Sequence, residues 1–267
     1  MTSTRILAAV VGLALVLPLL IWGGMAGMVL LVCIGGVIAL DEYARMAFPE
    51  DNLFALAWMT LCSGVVVASW LAFPEHLAIV AGGVVVLSMA QVTLRPGDTL
   101  DGAADKAGRY VLGVGWIAGL MPFLLSLRAL EHGITWVFLV MVIAWMGDTG
   151  AYFAGRAFGK HPLYPKVSPK KTVEGLAGGF AGSTVGVAVV KMLFLPQLTP
   201  LDVIFYGVVA SGLGVMGDLC ESMLKRAFKV KDSGWIMPGH GGILDRIDSM
   251  LFVAPTVYAY AVLVHGA

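Results

Sequence analysis

The sequence predicts an all-α membrane protein, a polytopic bundle of about nine transmembrane helices with its N-terminus in the cytosol. Hydrophobic residues make up 59% of the chain and charged residues only 13%, whereas a soluble domain carries about 25% charged residues. A chain so poor in charge cannot cover its surface in water, so most of its surroundings must be lipid. The apolar windows and the distribution of basic residues support the same fold class.

Nine windows are long and apolar enough to be transmembrane helices, since a span needs about 20 mostly apolar residues. They lie near residues 6–22, 25–40, 53–73, 76–94, 110–127, 135–154, 175–194, 201–221 and 247–264. The first is predicted to be a span, not a cleaved signal peptide, because the second follows almost at once. With no repeat or linker between windows, residues 1–267 are predicted to form a single transmembrane domain.

The basic residues set the orientation. With a cytosolic N-terminus, fifteen of the seventeen lysines and arginines fall in cytosolic segments, as the positive-inside rule requires. They are Arg5, Arg45, Arg95, Lys106, Arg109, Arg156, Lys160, Lys166, Lys170, Lys171, Lys225, Arg226, Lys229, Lys231 and Arg246. Basic and acidic residues balance at 17 each, which argues against a nucleic-acid binder.

The seventh window carries a stripe of glycines. Gly178, Gly182 and Gly186 recur at four-residue spacing, with Gly175 and Gly179 beside them. Small residues on one helix face let helix backbones approach closely in lipid. The stripe favours tight packing inside the bundle over an interface between subunits.

Acidic residues gather where spans begin or end. Asp148 ends the sixth apolar run, Asp218 and Glu221 end the eighth, and Asp245 and Asp248 open the ninth. In the predicted topology all these helix ends lie at the same membrane face. Carboxylates beside membrane spans are costly, which makes them candidates for function.

The spacing of these acids indicates a polar helix face. Positions i, i+3, i+4 and i+7 of the eighth helix are Asp218, Glu221, Ser222 and Lys225, and such positions share one face. Like charges this close repel unless a cation lies among them, and carboxylate oxygens suit Mg²⁺. The alternative is a solvated fringe in which the acids pair with neighbouring lysines and arginines.

Two basic segments accompany the acids. Residues 225–231 are rich in lysine and arginine, and Pro238–Gly242 is a glycine-rich turn with one histidine. Basic side chains and glycine N–H groups bind phosphate, although a basic run alone is more often a lipid-headgroup anchor. In the second segment, residues 166–175, Ser168 fits a helix N-cap with Pro169 at the first helical position. The lysines of this second segment are explained equally well by the positive-inside rule, without a role in binding.

Together these residues resemble a known signature. Residues 222–226, 231–234 and 240–248 carry Ser-Met-Leu-Lys-Arg, Lys-Asp-Ser-Gly and His-Gly-Gly-Ile-Leu-Asp-Arg-Ile-Asp. This pattern is similar to that of the phosphatidate cytidylyltransferases, the CDP-diacylglycerol synthases. The stripe of Asp148, Tyr152 and Gly155 and the segment 168–175 also look like family motifs, so the resemblance covers roughly the C-terminal half. It implies variable N-terminal helices over 1–100 and catalytic helices and cytosolic loops over 135–264.

The resemblance implies transfer of a cytidylyl group from CTP to phosphatidate in a bacterial-type inner membrane, with the site facing the cytosol. It implies Mg²⁺, with a second cation left open, and no nucleic-acid partner; a homodimer is also left open. The implied catalytic residues are Asp218, Ser222, Lys225, Arg226, Asp245 and Lys171. The implied nucleotide- or phosphate-binding residues are Lys231, His240, Gly241, Gly242, Arg246, Ser168 and Lys170. The implied metal ligands are Asp218, Asp245, Asp248 and Glu221.

Two other functions compete with cytidylyl transfer. A CTP-dependent lipid kinase would attack the γ-phosphorus and release CDP, and its alcohol nucleophile would want a base such as His240. A transporter would use the acids as coupling-ion ligands. Against the transporter, the charges cluster at one membrane face and not at mid-membrane inside broken helices.

Overall fold

A computed structural model describes residues 12, 14–72, 76–95, 101–236 and 241–266, and nearly all of its regular structure is helical. Residues 14–22 are helical, and ten further helices follow. They are α1 (Gly24–Ala47), α2 (Asn52–Ala72), α3 (Leu77–Leu94), α4 (Ala103–Gly113), α5 (Phe123–Ala129), α6 (Gly133–Phe158), α7 (Val173–Leu193), α8 (Pro200–Ile204), α9 (Ser211–Ala227) and α10 (Leu244–His265). Two strands, β1 (Pro162–Tyr164) and β2 (Ser168–Thr172), lie between α6 and α7.

The predicted fold class is confirmed. Seven helical segments in the described part of the chain are long and apolar enough to cross a membrane, and α3 is a shorter apolar helix. Most of their bounds agree with the predicted windows within a few residues. Three ends extend further: α1 continues past residue 40 to Ala47, the segment predicted to begin at residue 110 begins at Ala103, and the one predicted to end at residue 221 ends at Ala227. Residues 6–11 and 13 of the first window lie outside the described residues, so the number of spans and the side of the N-terminus stay predictions.

Two of the long segments contain a π-helical stretch. Val114–Ala118 follows α4, and Phe205–Ala210 joins α8 to α9. The combined segments, Ala103–Ala129 and Pro200–Ala227, are 27 and 28 residues long. The second of these carries the predicted acids of the eighth span at its C-terminal end.

The glycine stripe packs inside the bundle, as predicted. A Cβ atom on Gly178 would collide with Ala154, and one on Gly182 would collide with the carbonyl oxygen of Met146. These partners lie on α6. The stripe therefore lets α6 and α7 approach closely along most of their length, which fixes Asp148 of α6 relative to the start of α7.

The hairpin of β1 and β2 corrects one prediction. Ser168, predicted to cap a helix, lies in β2, which pairs antiparallel with β1. Helix α7 begins only at Val173, and its N-cap is Thr172, whose Oγ accepts the N–H of Gly175 at 3.0 Å. The strand can form because Pro169, which would also fit a first helical turn, is tolerated in an edge strand.

The bundle is apolar on its outside as well as in its core. Large apolar side chains such as Ile79 (72% exposed), Leu94 (82%) and Leu263 (83%) face outward, as lipid-facing residues do. Inside, Tyr43, Trp136 and Tyr206 are fully buried. Charged side chains concentrate instead at one end of the bundle, where α6, β2, α9 and α10 meet.

Candidate active site

A cavity of about 650 Å³ opens where these helix ends meet. Its charged lining residues are Asp148, Arg156, Lys170, Lys171, Asp218, Glu221, Lys225, Asp232, Asp245, Arg246 and Asp248. The prediction that the acids of the sixth, eighth and ninth spans converge is therefore confirmed. Apolar side chains, among them Ile143, Leu176 and Val253, line another part of the same cavity.

The hairpin reaches the cavity through Lys171. Its Nζ lies 2.5 Å from Oδ2 of Asp218 on α9. The hairpin is held at its base by Glu174, which accepts the backbone N–H groups of Lys160 and His161 and lies 2.5 Å from Nδ1 of His161. The first turn of α7 thus fixes the chain just before β1, and β2, which pairs with β1, presents Lys171.

Lys225 joins α9 to α10. Its Nζ lies 2.6 Å from Oε2 of Glu221, one helical turn away, and 2.5 Å from Oδ1 of Asp245. All three side chains are nearly removed from solvent, with exposures of 11%, 1% and 8%. A buried charge is tolerated when it is paired, and here one ammonium is shared by two carboxylates.

The carboxylate of Asp245 is held on both oxygens. Oδ2 accepts the backbone N–H groups of Ser233 at 3.0 Å and Gly242 at 2.8 Å, and it lies 2.9 Å from the Ser233 hydroxyl. Oδ1 faces Lys225. Gly241 has φ +81°, and a Cβ there would collide with the Asp245 carboxylate, so this turn requires glycine.

Of the remaining acids, Asp218 pairs with Lys171, whereas Asp148 and Asp248 form no ion pair with any described residue. Asp148, Asp218 and Asp248 are close enough to repel one another. Asp248 is only 7% exposed. Oε1 of Glu221 is buried and, within the described residues, has no hydrogen-bond partner. An excess of carboxylate oxygens around a cavity is an environment that a cation would stabilise.

The binding of Mg²⁺ stays a prediction. Among the described residues, no three His, Cys, Asp or Glu side chains are grouped closely enough to hold a metal ion by themselves. This arrangement is compatible with Mg²⁺, which usually binds through one or two carboxylates and completes its shell with water and substrate phosphates. Among the described residues, carboxylate oxygens without a bonding partner occur on Asp248 and Glu221. Both oxygens of Asp218 are contacted, by Lys171 and Ser222, and both oxygens of Asp245 are engaged.

Three other predicted residues, Ser222, Arg226 and Lys231, do not line the cavity. Ser222 donates to Oδ1 of Asp218 at 3.3 Å. Arg226 is exposed and donates to the carbonyl oxygen of Val230 at 3.4 Å. Lys231 is also exposed. His240 lies outside the described residues, so its predicted role and those of the other phosphate-binding residues stay predictions.

Sequence reasoning missed Glu42 and did not single out Ser233. Glu42 lies in α1, is 4% exposed, and accepts the backbone N–H groups of Ile243 and Leu244 at the start of α10. Ser233 lies between Glu42 and Asp245. An ionisable residue at the end of an apolar helix was the available signal for Glu42, and the hydropathy window that ended at residue 40 left it out.

The fold and the cavity together define a class, a multi-pass helical membrane protein with a cluster of acids and bases at one end of its bundle. Residues 3–264 match the model of the Cytidylyltransferase family, and the chain belongs to that family.

Curated relatives agree with the family. A phosphatidate cytidylyltransferase of Bacillus subtilis is 35% identical over 267 residues, or 96% of this chain and 94% of the relative. One of Staphylococcus epidermidis is 33% identical over 258 residues, or 95% of this chain and 96% of the relative. One of Staphylococcus haemolyticus is also 33% identical, over 259 residues, with 95% and 96% covered. The resemblance drawn from the C-terminal motifs is thus confirmed and extends through the N-terminal helices.

Proposed function

We propose that this chain is an enzyme that transfers a cytidylyl group from CTP to phosphatidate, giving CDP-diacylglycerol and pyrophosphate. The observation that carries the proposal is that paired acids and bases adjoin an apolar wall in one cavity. Such a cavity suits a charged nucleotide together with the headgroup of a lipid. Family membership and the activity for which the relatives are named support the same conclusion.

The reaction demands little acid–base chemistry from the protein. The nucleophile is an oxygen of the phosphatidate phosphomonoester, which is largely dianionic at neutral pH because its second pKa is about 6. The protein must instead relieve the repulsion between two phosphates and hold them in line for attack on the α-phosphorus. Lys171, Lys170 and Arg246 line the cavity and are suited to bind these phosphate oxygens.

Magnesium fits the same site as a cofactor. Asp218, Asp248 and the unpaired oxygen of Glu221 would hold it, and when bound it would neutralise phosphate charge and support the departing pyrophosphate. Asp245 contributes differently, because it anchors Lys225 on α9 and the turn that contains Gly242. These contacts support a structural role for Asp245, in which it holds α9 and the turn containing Gly242 in fixed positions around the cavity.

The cytosolic face is the proposed location of the site. The positive-inside rule supports it, because fifteen of the seventeen basic residues fall on the same predicted side. At that face, the cavity would receive CTP from water and phosphatidate from the adjoining leaflet. Alkylation of a Lys166→Cys variant by an impermeant thiol reagent in inside-out vesicles, but not in intact cells, would agree with this side; the reverse pattern would contradict it.

Labelled CTP tests the reaction. The purified protein in lipid nanodiscs containing phosphatidate should move label from the α-phosphate of CTP into lipid and release pyrophosphate. Asp218→Asn should abolish this transfer. Asp105→Asn should not, because Asp105 pairs with Arg109 on an exposed surface. Label entering lipid from the γ-phosphate would indicate a lipid kinase instead. Lipid-independent flux in liposomes, without CTP turnover, would indicate a transporter.

A further inference from the structure

Glu42 connects the N-terminal helices to the active site. It lies near the C-terminal end of α1, about 200 residues before the signature residues that it contacts. Its Oε1 accepts the N–H of Ile243 at 2.9 Å, and its Oε2 accepts the N–H of Leu244 at 2.8 Å. Both oxygens of the carboxylate are therefore committed to the start of α10.

These contacts act as a helix cap supplied from another helix. The first N–H groups of a helix have no partner within the helix, and a side chain at the N-cap usually accepts one of them. The N-cap of α10 is Ile243, whose side chain has no acceptor. Glu42 takes over this function, and its negative charge also suits the positive end of the helix dipole.

A second contact relates Glu42 to Asp245. The hydroxyl of Ser233 lies 3.2 Å from Oε2 of Glu42 and 2.9 Å from Oδ2 of Asp245. Ser233 has one hydroxyl proton, so it links the two carboxylates while donating to one at a time. A change at Glu42 would therefore alter the hydrogen bonding of the Asp245 carboxylate, which anchors Lys225.

The neighbouring backbone leaves Glu42 no room to move. A Cβ atom on Gly234 or on Gly242 would collide with the Glu42 carboxylate. The loop before α10 thus approaches this side chain as closely as backbone can. Glu42 is enclosed on two sides by the segment that builds the site.

We infer that Glu42 is a positioning residue of the reaction, which fixes the N-terminus of α10 and, through Ser233, the orientation of Asp245. The inference rests on the proposed cytidylyl transfer. Glu42 itself does not line the cavity, so it acts through the residues that do.

Glu42→Gln tests this role with little change of shape. The amide nitrogen would replace one accepting oxygen and face a backbone donor, so we expect kcat to fall about 10- to 100-fold, as for other residues that orient a site from outside. The KM for CTP should change by less than about threefold, because the nucleotide contacts remain. The control is Asp41→Asn, since Asp41 is the adjacent acid and pairs with Arg45 outside the site at 2.9 Å.

A purely structural role would lower the thermal midpoint and leave the kcat of the folded protein unchanged. Glu42→Gln with a kcat within about twofold of the parent would overturn the inference. If Glu42→Gln does not fold, the kcat values of folded Glu42→Asp and Ser233→Ala test the inference instead. A loss of kcat in folded Ser233→Ala supports the inference, and an unchanged kcat in both variants overturns it.

A double variant tests the path through Ser233. If Glu42 acts through this hydroxyl, the loss in Glu42→Gln/Ser233→Ala should be smaller than the product of the two single losses. If the loss of kcat in the double variant equals the product of the two single losses, Glu42 and Ser233 act independently. That result would overturn the link through the Ser233 hydroxyl. A parent protein without cytidylyl transfer would refute the proposed function itself, whereas an active parent with an equally active Glu42→Gln would refute only the positioning role.

Discussion

The ammonium group of Lys171 lies 2.5 Å from the carboxylate of Asp218. This pair joins the β-hairpin to the middle of α9 at the wall of the cavity. Both side chains remain about a quarter exposed, at 27% and 28%. A partly exposed ion pair can exchange its carboxylate for an incoming phosphate, so the lysine is held where a substrate can reach it.

Replacing Lys171 with Met should remove one phosphate contact and lower kcat/KM about 100-fold, as expected for losing one donor to developing charge. Initial rates with labelled CTP measure the effect. Lys166→Met is the matched control, because Lys166 is an exposed lysine of the same hairpin that does not line the cavity. Equal activity of the two variants would contradict the assignment.

Lys225→Met should destabilise the protein. The change leaves Glu221 and Asp245 without their shared partner in a nearly solvent-free site, and breaking a buried ion pair costs about 3–5 kcal/mol. Unfolding in detergent, followed by circular dichroism, measures the loss. Lys229→Met changes an exposed lysine just beyond α9 and should leave the midpoint near that of the parent. An unchanged midpoint in Lys225→Met would show that the two acids are stable without the ammonium.

Removal of divalent cations should abolish cytidylyl transfer, and added Mg²⁺ should restore it. Asp248→Asn should raise the Mg²⁺ concentration needed for half-maximal activity by about tenfold or more. The reason is that the change removes one of the carboxylates proposed to hold the ion. Asp105→Asn, at an exposed pair, provides the comparison. Full turnover in the presence of a chelator would refute the metal proposal.

Gly182→Ala should separate α6 from α7. The added methyl group would meet the carbonyl oxygen of Met146 and the Cα of Gly150, and overpacking costs about 1–3 kcal/mol. Gly64→Ala is the control, since a Cβ at Gly64 meets no atom within 4 Å. Thermal unfolding of both variants measures the difference. Equal midpoints would mean that the two helices can shift apart without loss.

Much of the fold could be predicted because lipid imposes a simple rule on the sequence. A spanning backbone must satisfy its own hydrogen bonds, so long apolar runs become helices, and most of the observed bounds lie within a few residues of the windows. The C-terminal end of α1 is not predicted by this rule. Asp41 and Glu42 lower the local hydropathy, yet the helix continues to Ala47 because Glu42 is buried against other protein segments and not exposed to lipid.

The sequence by itself determined the class of fold, the stretches that become long helices, and the acids and lysines of the candidate site. The tertiary structure decided how these groups are paired. It placed Ser168 in a strand, put Lys225 between Glu221 and Asp245, and brought Glu42 to the start of α10. Spacing along a helix predicts neighbours one turn apart, but contacts across about 200 residues depend on how whole helices pack, and no local pattern in the chain records that.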